Sequence, residues 1–318
     1  MRFPDPDPII RKELDQVEQE LHAISGEAAL PLRQMLPYDL GGGGRIRPVL
    51  VLLTGGMLGG EERALIEIAT AVEMIHAGTL IHDDIIDGVP MRRGRESLHI
   101  RWDVSASVLA GDFLLSRALQ KVADLRNPDL LSEITSAVCE LCDGEIRECS
   151  GDGTCRMSRE EYFEIVNRKT ASLFAAGMTM AGIASGADAG DLKSLEECGR
   201  LLGTAFQLMD DLMDITGDGG STGKSPGNDL RRGVITLPVI VYAESEGGGD
   251  ILRTIARVTT DDRVVEALKK QIISSGAIVR TQEVADELIR ECRRRLDRFP
   301  ANRYCEAIDR IAWGIRWR

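Results

Sequence analysis

An all-α fold is predicted for this 318-residue chain by three observations. Apolar residues recur at helical spacing through long segments free of proline. The alternating apolar and polar runs of half-buried strands are nearly absent. Aromatic residues make up only 4% of the chain, so packing has to rest on Leu, Ile, Val, Ala and Met.

The clearest element covers residues 61–87, EERALIEIATAVEMIHAGTLIHDDIID, and is stopped by Gly88 and Pro90. Its C-terminal end carries acids, although the helix dipole favours cations there; a bound cation would supply the reason. Similar periodicity covers 105–125, 128–149, 158–185, 191–215, 236–246 and 261–299. Glycine-rich breaks at 41–44, 217–227 and 247–249 separate these segments. No repeat with a period of about 20 to 50 residues and no low-complexity linker divides the chain, which predicts one domain over 1–318.

Hydrophobic residues at 43% and charged residues at 28% suit a globular protein with a sizeable core. A net charge of −12 repels a nucleic-acid backbone and argues against that partner. It does not exclude a small anionic ligand, because a few cations with bound metal can make one cleft positive. Seven cysteines, an odd number, read as reduced thiols of a cytoplasmic protein rather than a disulfide framework. The start, MRFPDPDPII, lacks the positive end and apolar run of a signal peptide. No run of about 18 uncharged apolar residues is present, so no transmembrane helix is expected, while a peripheral membrane contact stays open.

In LIHDDIID, Asp83, Asp84 and Asp87 share one helix face, and the same spacing returns in QLMDDLMD with Asp210, Asp211 and Asp214. One acidic cluster alone is as readily a solvated helix face. Two clusters of the form DDxxD, both set among Leu, Ile and Met and both preceded by a polar residue, His76 or Gln207, are harder to explain as decoration. Hard oxygen ligands completed by water and phosphate are what Mg²⁺ prefers.

Here the chain resembles the trans-prenyl diphosphate synthases, or polyprenyl synthetases, whose hallmark is two such motifs facing each other. The resemblance runs over about 41–238. It includes GRIRP at 44–48, MRRG at 91–94, VLAGDFLLSRAL at 108–119, RKTASLF at 168–174, GKSPGNDL at 223–230 and TLP at 236–238. It implies a single helical bundle of the isoprenoid synthase type with a central cleft, Mg²⁺ as cofactor, isopentenyl diphosphate and an allylic diphosphate as substrates, and a homodimer. Asp83, Asp87 and Asp210 would ligate the metal ions; Asp84, Asp211 and Asp214 would ligate them or orient waters. Arg92, Lys169 and Lys224 match residues that grip the allylic diphosphate, and Arg47, His76 and Arg93 match those that hold isopentenyl diphosphate. Thr170 and Gln207 match the polar groups whose oxygens face the developing carbocation. Gly78 and Thr79, just before the first motif, match the positions that limit chain length; their small size implies a long product.

The chemistry fits these roles. Breaking an allylic carbon–oxygen bond leaves pyrophosphate, whose charge metal ions and cationic side chains stabilise. Apolar walls must keep the resulting cation from water. Pyrophosphate itself can take the final proton, which agrees with the lack of a Ser-His-Asp or Cys-His arrangement.

Each residue taken singly also has a plain structural reading: His76 as a core histidine, Arg92 and Arg93 as a charged turn, Lys169 as a snorkelling side chain. GDGGSTGKS imitates a phosphate loop but has Asp218 where the first glycine belongs, and it follows a helix. Cys139 and Cys142 form a lone CxxC near Cys149 and Cys155, read as buried small hydrophobes in preference to zinc ligands. RECRRRLDR reads as a solvated helix face. Two departures stand out: the resembling family has lysines, both of them phosphate contacts, where this chain has Gly44 and Val234. Arg45, Arg231 and Arg232 lie near enough in sequence to compensate. The departures leave open a weakened or non-catalytic partner subunit, and a terpene synthase that only ionises a prenyl diphosphate is a third reading.

Overall fold

The computed structural model describes residues 8–92, 94–149, 157–217, 227–245, 251 and 261–315. Arg93, Cys155, Lys224 and nearly all of GDGGSTGKS lie outside the described residues. Helices α1 (Arg11–Glu27), α2 (Leu32–Leu40) and α3 (Ile46–Leu58) lead into α4 (Glu62–Ile86). Glu61 starts α4 by accepting the N–H groups of Arg63 and Ala64, and Leu65, Ile68, Ala69, Val72 and Ile75 are buried along it. By length and mean hydropathy, 1.5 over its most apolar stretch, α4 is apolar enough to cross a membrane, although Glu67 and Glu73 interrupt its apolar run. Because 72% of that stretch is buried against other helices, it is a core helix.

The all-helical pattern is interrupted once among the described residues, by an antiparallel pair, β1 (Met91–Arg92) and β2 (Arg95–Glu96). Gly94, with φ +74°, makes the turn that a side chain would strain. Next come α5 (Leu98–Arg101), α6 (Val104–Asp124) and α7 (Pro128–Cys149). Cys139, Cys142 and Cys149 are exposed, which corrects the expectation of burial. The buried face of α7 is Leu130, Ile134, Ala137, Leu141, Gly144 and Glu145, and the cysteines fall off it.

The segment expected as one helix over 158–185 contains a defect. Helix α8 (Arg159–Val166), begun by a Ser158–Glu161 capping box, passes into a π-helical turn (Asn167–Ala171) before α9 (Ser172–Ala184). Gly144 of α7 accommodates that turn: a Cβ there would lie 2.6 Å from the backbone nitrogen of Lys169. Helix α9 is the axis of the bundle, buried throughout 172–182 and packed on α3, α4 and α7.

Helix α10 (Ala189–Thr216) packs along α9 through Gly199 and Gly203, where a Cβ would fall 2.4 Å from Ala175 Cα and 2.6 Å from Ala171 Cα. Gln207 and Asp211 continue that four-residue stripe, so close helix packing aims both at the π turn. Helices α11 (Asn228–Arg232), α12 (Leu237–Ala243), α13 (Asp262–Ser274), α14 (Ala277–Leu296) and α15 (Arg303–Gly314) complete the described fold. The single helix expected over 261–299 is broken by Gly276, φ +78°, into α13 and α14. The basic run of α14 is ion-paired to its neighbours, Arg295 with Glu197 and Arg298 with Asp191 on α10, Arg293 with Asp309 on α15.

Candidate active site

Each acidic motif ends a long helix, and within each the acids have different partners. Asp84 is buried at 3% exposure and takes a bidentate pair from Arg92, with Nε 2.8 Å from both carboxylate oxygens and Nη2 2.6 Å from Oδ1. The β1–β2 hairpin therefore serves to hang Arg92 over the end of α4. Asp211, also 3% exposed, accepts from the Tyr162 hydroxyl and from Gln207 Nε2 at 2.8 Å. Asp214 caps α11, accepting the N–H groups of Asn228 at 3.1 Å and Asp229 at 3.0 Å. Asp83 and Asp87 are half-buried and Asp210 is exposed. Burial, then the neighbouring Glu145 carboxylate, pushes Asp83 up to about 7 against the opposing pull of Lys169. Burial raises Asp87 as well, although Arg232 donates to it.

The π turn serves both motifs with consecutive residues. Lys169 pairs with Glu145 at 2.5 Å and with Glu148, and the charge of Asp83 acts on it; burial would discharge it, but these carboxylates raise its pKa and keep it cationic. Thr170 donates to Gln207 Oε1 at 2.9 Å. Because Asp211 takes the Gln207 amide protons, the amide oxygen must face Thr170. A relay of Tyr162, Asp211, Gln207 and Thr170 thus fixes two oxygens beside Lys169. Glu145, Glu148 and Tyr162 escaped the sequence reading; the one available signal was a Glu pair three apart on the apolar side of α7.

Arg47 is buried without a carboxylate in contact; burial lowers it to about 10, its Nε has no hydrogen-bond partner, and its guanidinium lies 4.5 Å from the Phe174 ring centre. A buried cation so placed is ready for an anion. His76 and Arg92 line a small recess with Asp39, Arg45 and Glu73. Arg45, expected near enough to compensate for the lysine absent at 44, has its donors on Glu18 at 2.6 Å, Glu73 at 2.7 Å and the Leu40 carbonyl at 2.5 Å. Arg231 is likewise turned to Asp262 at 2.7 Å. Gly78 is buried where α4 crosses α6, a Cβ lying 3.1 Å from the Gly111 carbonyl oxygen, and Thr79 donates to the His76 carbonyl at 2.9 Å.

Among the described residues no three acidic, Cys or His side chains cluster tightly enough to enclose an ion by themselves. Mg²⁺ does not require that, since it retains water and combines one or two carboxylates with phosphate oxygens. Hard oxygens on Asp83, Asp87 and Asp210 fit an ion that arrives with a diphosphate. Binding must displace the proton that Asp83 holds below about pH 7. Divalent-cation affinity should therefore rise about tenfold per pH unit up to about pH 7 and level off above it, which calorimetric titration across that range measures. For the metal-free fold the sign is opposite: the folded carboxyl sits above its ordinary 3.8, so stability falls as pH rises between those values.

Lys169 beside the first acid motif, Thr170 joined through Gln207 to the second, and a buried arginine make an arrangement suited to an anionic substrate that brings a metal ion with it. The chain belongs to the polyprenyl synthetase family, whose model matches residues 30–272. It is a prenyltransferase that condenses isopentenyl diphosphate with an allylic diphosphate. It is 34% identical to the octaprenyl diphosphate synthase of Escherichia coli (strain K12) over 249 residues, 78% of this chain and 77% of that one. It is also 34% identical to heptaprenyl diphosphate synthase component 2 of Geobacillus stearothermophilus over 295 residues, 92% of this chain and 89% of the relative. A polyprenyl synthase from Caulobacter crescentus CB15, solved with calcium and isoprenyl diphosphate, superposes with a TM-score of 0.92 at 29% identity, covering 100% of this chain and 99% of that one.

Proposed function

We propose that the chain, as one domain over 1–318, is a Mg²⁺-dependent synthase of long trans-polyprenyl diphosphates that works as a cytoplasmic homodimer. The observation that carries the site assignment is the π turn, where Lys169 faces Asp83 and the next residue, Thr170, faces the relay that ends on Asp211. Mg²⁺, held by Asp83, Asp87 and Asp210, would supply the charge that stabilises departing pyrophosphate. Lys169 and Arg92 grip the allylic diphosphate, joined by Lys224 on the sequence resemblance. Arg47 and His76, with Arg93 on the same ground, hold isopentenyl diphosphate. Asp84 keeps Arg92 at the mouth of α4. The oxygens of Thr170 and Gln207, fixed by Asp211 and Tyr162, face the allylic cation and steady it without attacking it. Released pyrophosphate takes the proton lost from the condensation product.

The long product rests on the small residues at 78 and 79 and on the relatives' names. Gly78→Tyr would drive into the α6 backbone as well as shorten the product, so Thr79→Tyr is the cleaner variant. Wild-type protein should make polyprenyl diphosphates longer than geranylgeranyl diphosphate, and Thr79→Tyr should shift them shorter, as resolved by thin-layer chromatography of labelled products. An unchanged distribution contradicts the length control.

The homodimer is supported by a partly apolar exposed surface on α6 and α7. Val104, Leu109 and Ile146 are 51%, 60% and 62% exposed, and Cys139, Cys142 and Cys149 are exposed on α7. Light scattering at micromolar concentration should report a dimer, and Leu109→Glu with Ile146→Glu should yield monomer. A wild-type monomer removes this part of the proposal.

A further inference from the structure

Arg232, the last residue of α11, reaches from the second acid motif to the first: its Nη2 donates to Asp87 Oδ1. The pair is sheltered, with side chains 28% and 14% exposed. Helix α11 is itself clamped to the second motif, because Asp214 accepts the N–H groups of Asn228 and Asp229. Gly233, φ +78°, then ends the helix and leaves Val234 bonded through its N–H to the Asp229 carbonyl at 2.9 Å. Val234 adds no charge where the resembling family has lysine. Of the three arginines near enough in sequence to replace the missing lysines, Arg45 is committed to Glu18 and Glu73 and Arg231 to Asp262. Among the described contacts of these three, the one that reaches a motif aspartate is that of Arg232 with Asp87.

We propose that Arg232 is a diphosphate-binding residue of this chain and stands in for the lysine absent at 234. When a metal-bound diphosphate engages Asp87, the guanidinium loses its carboxylate partner and donates to phosphate oxygens, whose fork geometry it matches as well as it matches a carboxylate. A part-exposed side chain on a five-residue helix can make that short swing without unpacking the core. The inference rests on the reading of the cleft as a diphosphate site.

Calorimetry separates the two. Wild type, Arg232→Ala and Arg232→Ala with Val234→Lys are titrated with inorganic pyrophosphate in Mg²⁺, and separately with Mn²⁺ alone. Arg232→Ala should weaken pyrophosphate binding about tenfold to a hundredfold. It should also tighten Mn²⁺ binding severalfold, because Asp87 loses its competing cation. Val234→Lys in that background should restore pyrophosphate binding; failure to restore it overturns the replacement of the lysine. Pyrophosphate affinity equal to wild type, or weaker binding of both ligands as from a purely structural loss, overturns the assignment of Arg232. If wild type binds no pyrophosphate in Mg²⁺, the diphosphate reading fails and takes this inference with it.

Discussion

Asp83→Asn should lower kcat by about a hundredfold to a thousandfold and leave the metal-free protein at pH 8 at least as stable as the parent. Asp83 is pushed up to about 7 by burial and then by Glu145, so its charge above that pH is a cost to the fold. The same charge is what a metal ion arriving with the diphosphate needs. Removing it relieves the fold and disables the chemistry, and the loss should appear in kcat rather than in KM alone. Steady-state kinetics and thermal melts at pH 8 check both halves. A variant that loses stability in step with activity would place Asp83 among the structural acids.

The adjacent residue should behave in the opposite way. Asp84→Ala takes the carboxylate away from the half-buried Arg92 guanidinium, which has its Nε and Nη2 on it, and should cost about 2 to 3 kcal/mol in urea unfolding. Arg92→Ala in the Asp84→Ala background should recover part of the loss, since no half-buried cation is then left without its bidentate partner. A destabilisation below about 1 kcal/mol would mean that water reaches Arg92 freely and that the pair does not hold the hairpin. Two neighbouring aspartates of one motif, one costing activity and one costing stability, make a sharper distinction than the motif itself suggests.

The helices that carry the acids were legible because amphipathic periodicity and caps are local signals. The 61–87 reading ends within a residue of α4, whose N-cap Glu61 and C-cap Asp87 lie inside it. Defects within helices were not legible. The π turn at Asn167–Ala171 depends on the space that Gly144 leaves on a different helix, and nothing in RKTASLF announces it. Gly276 did offer a local signal for breaking 261–299, but a glycine inside a periodic segment is often tolerated, and only its positive φ shows the break.

Within the site, residue types were readable and partners were not. That Asp84 belongs to Arg92 and Asp211 to Tyr162 follows from the turn at Gly94 and from the crossing of α8 with α10, which are tertiary facts. Arg45 shows the limit in the other direction. It stands beside Arg47 in GRIRP and looks equally available, yet at φ 46° at the start of α3 its guanidinium turns to Glu18 and Glu73, while Arg47 stays without a carboxylate in contact, over Phe174. Two arginines with one residue between them at a helix start face opposite sides, and which side holds Glu18 and Glu73 is a tertiary fact.

The most direct measurement is incorporation of labelled isopentenyl diphosphate by the purified chain with farnesyl or geranylgeranyl diphosphate, run in Mg²⁺ and again after chelation, with Asp83→Asn alongside. Condensation products should form with Mg²⁺, cease when the cation is removed, and be nearly lost in the variant. Absence of incorporation by folded wild-type protein in Mg²⁺, or incorporation that survives both chelation and Asp83→Asn, would contradict a metal-bridged diphosphate site between the two acid motifs.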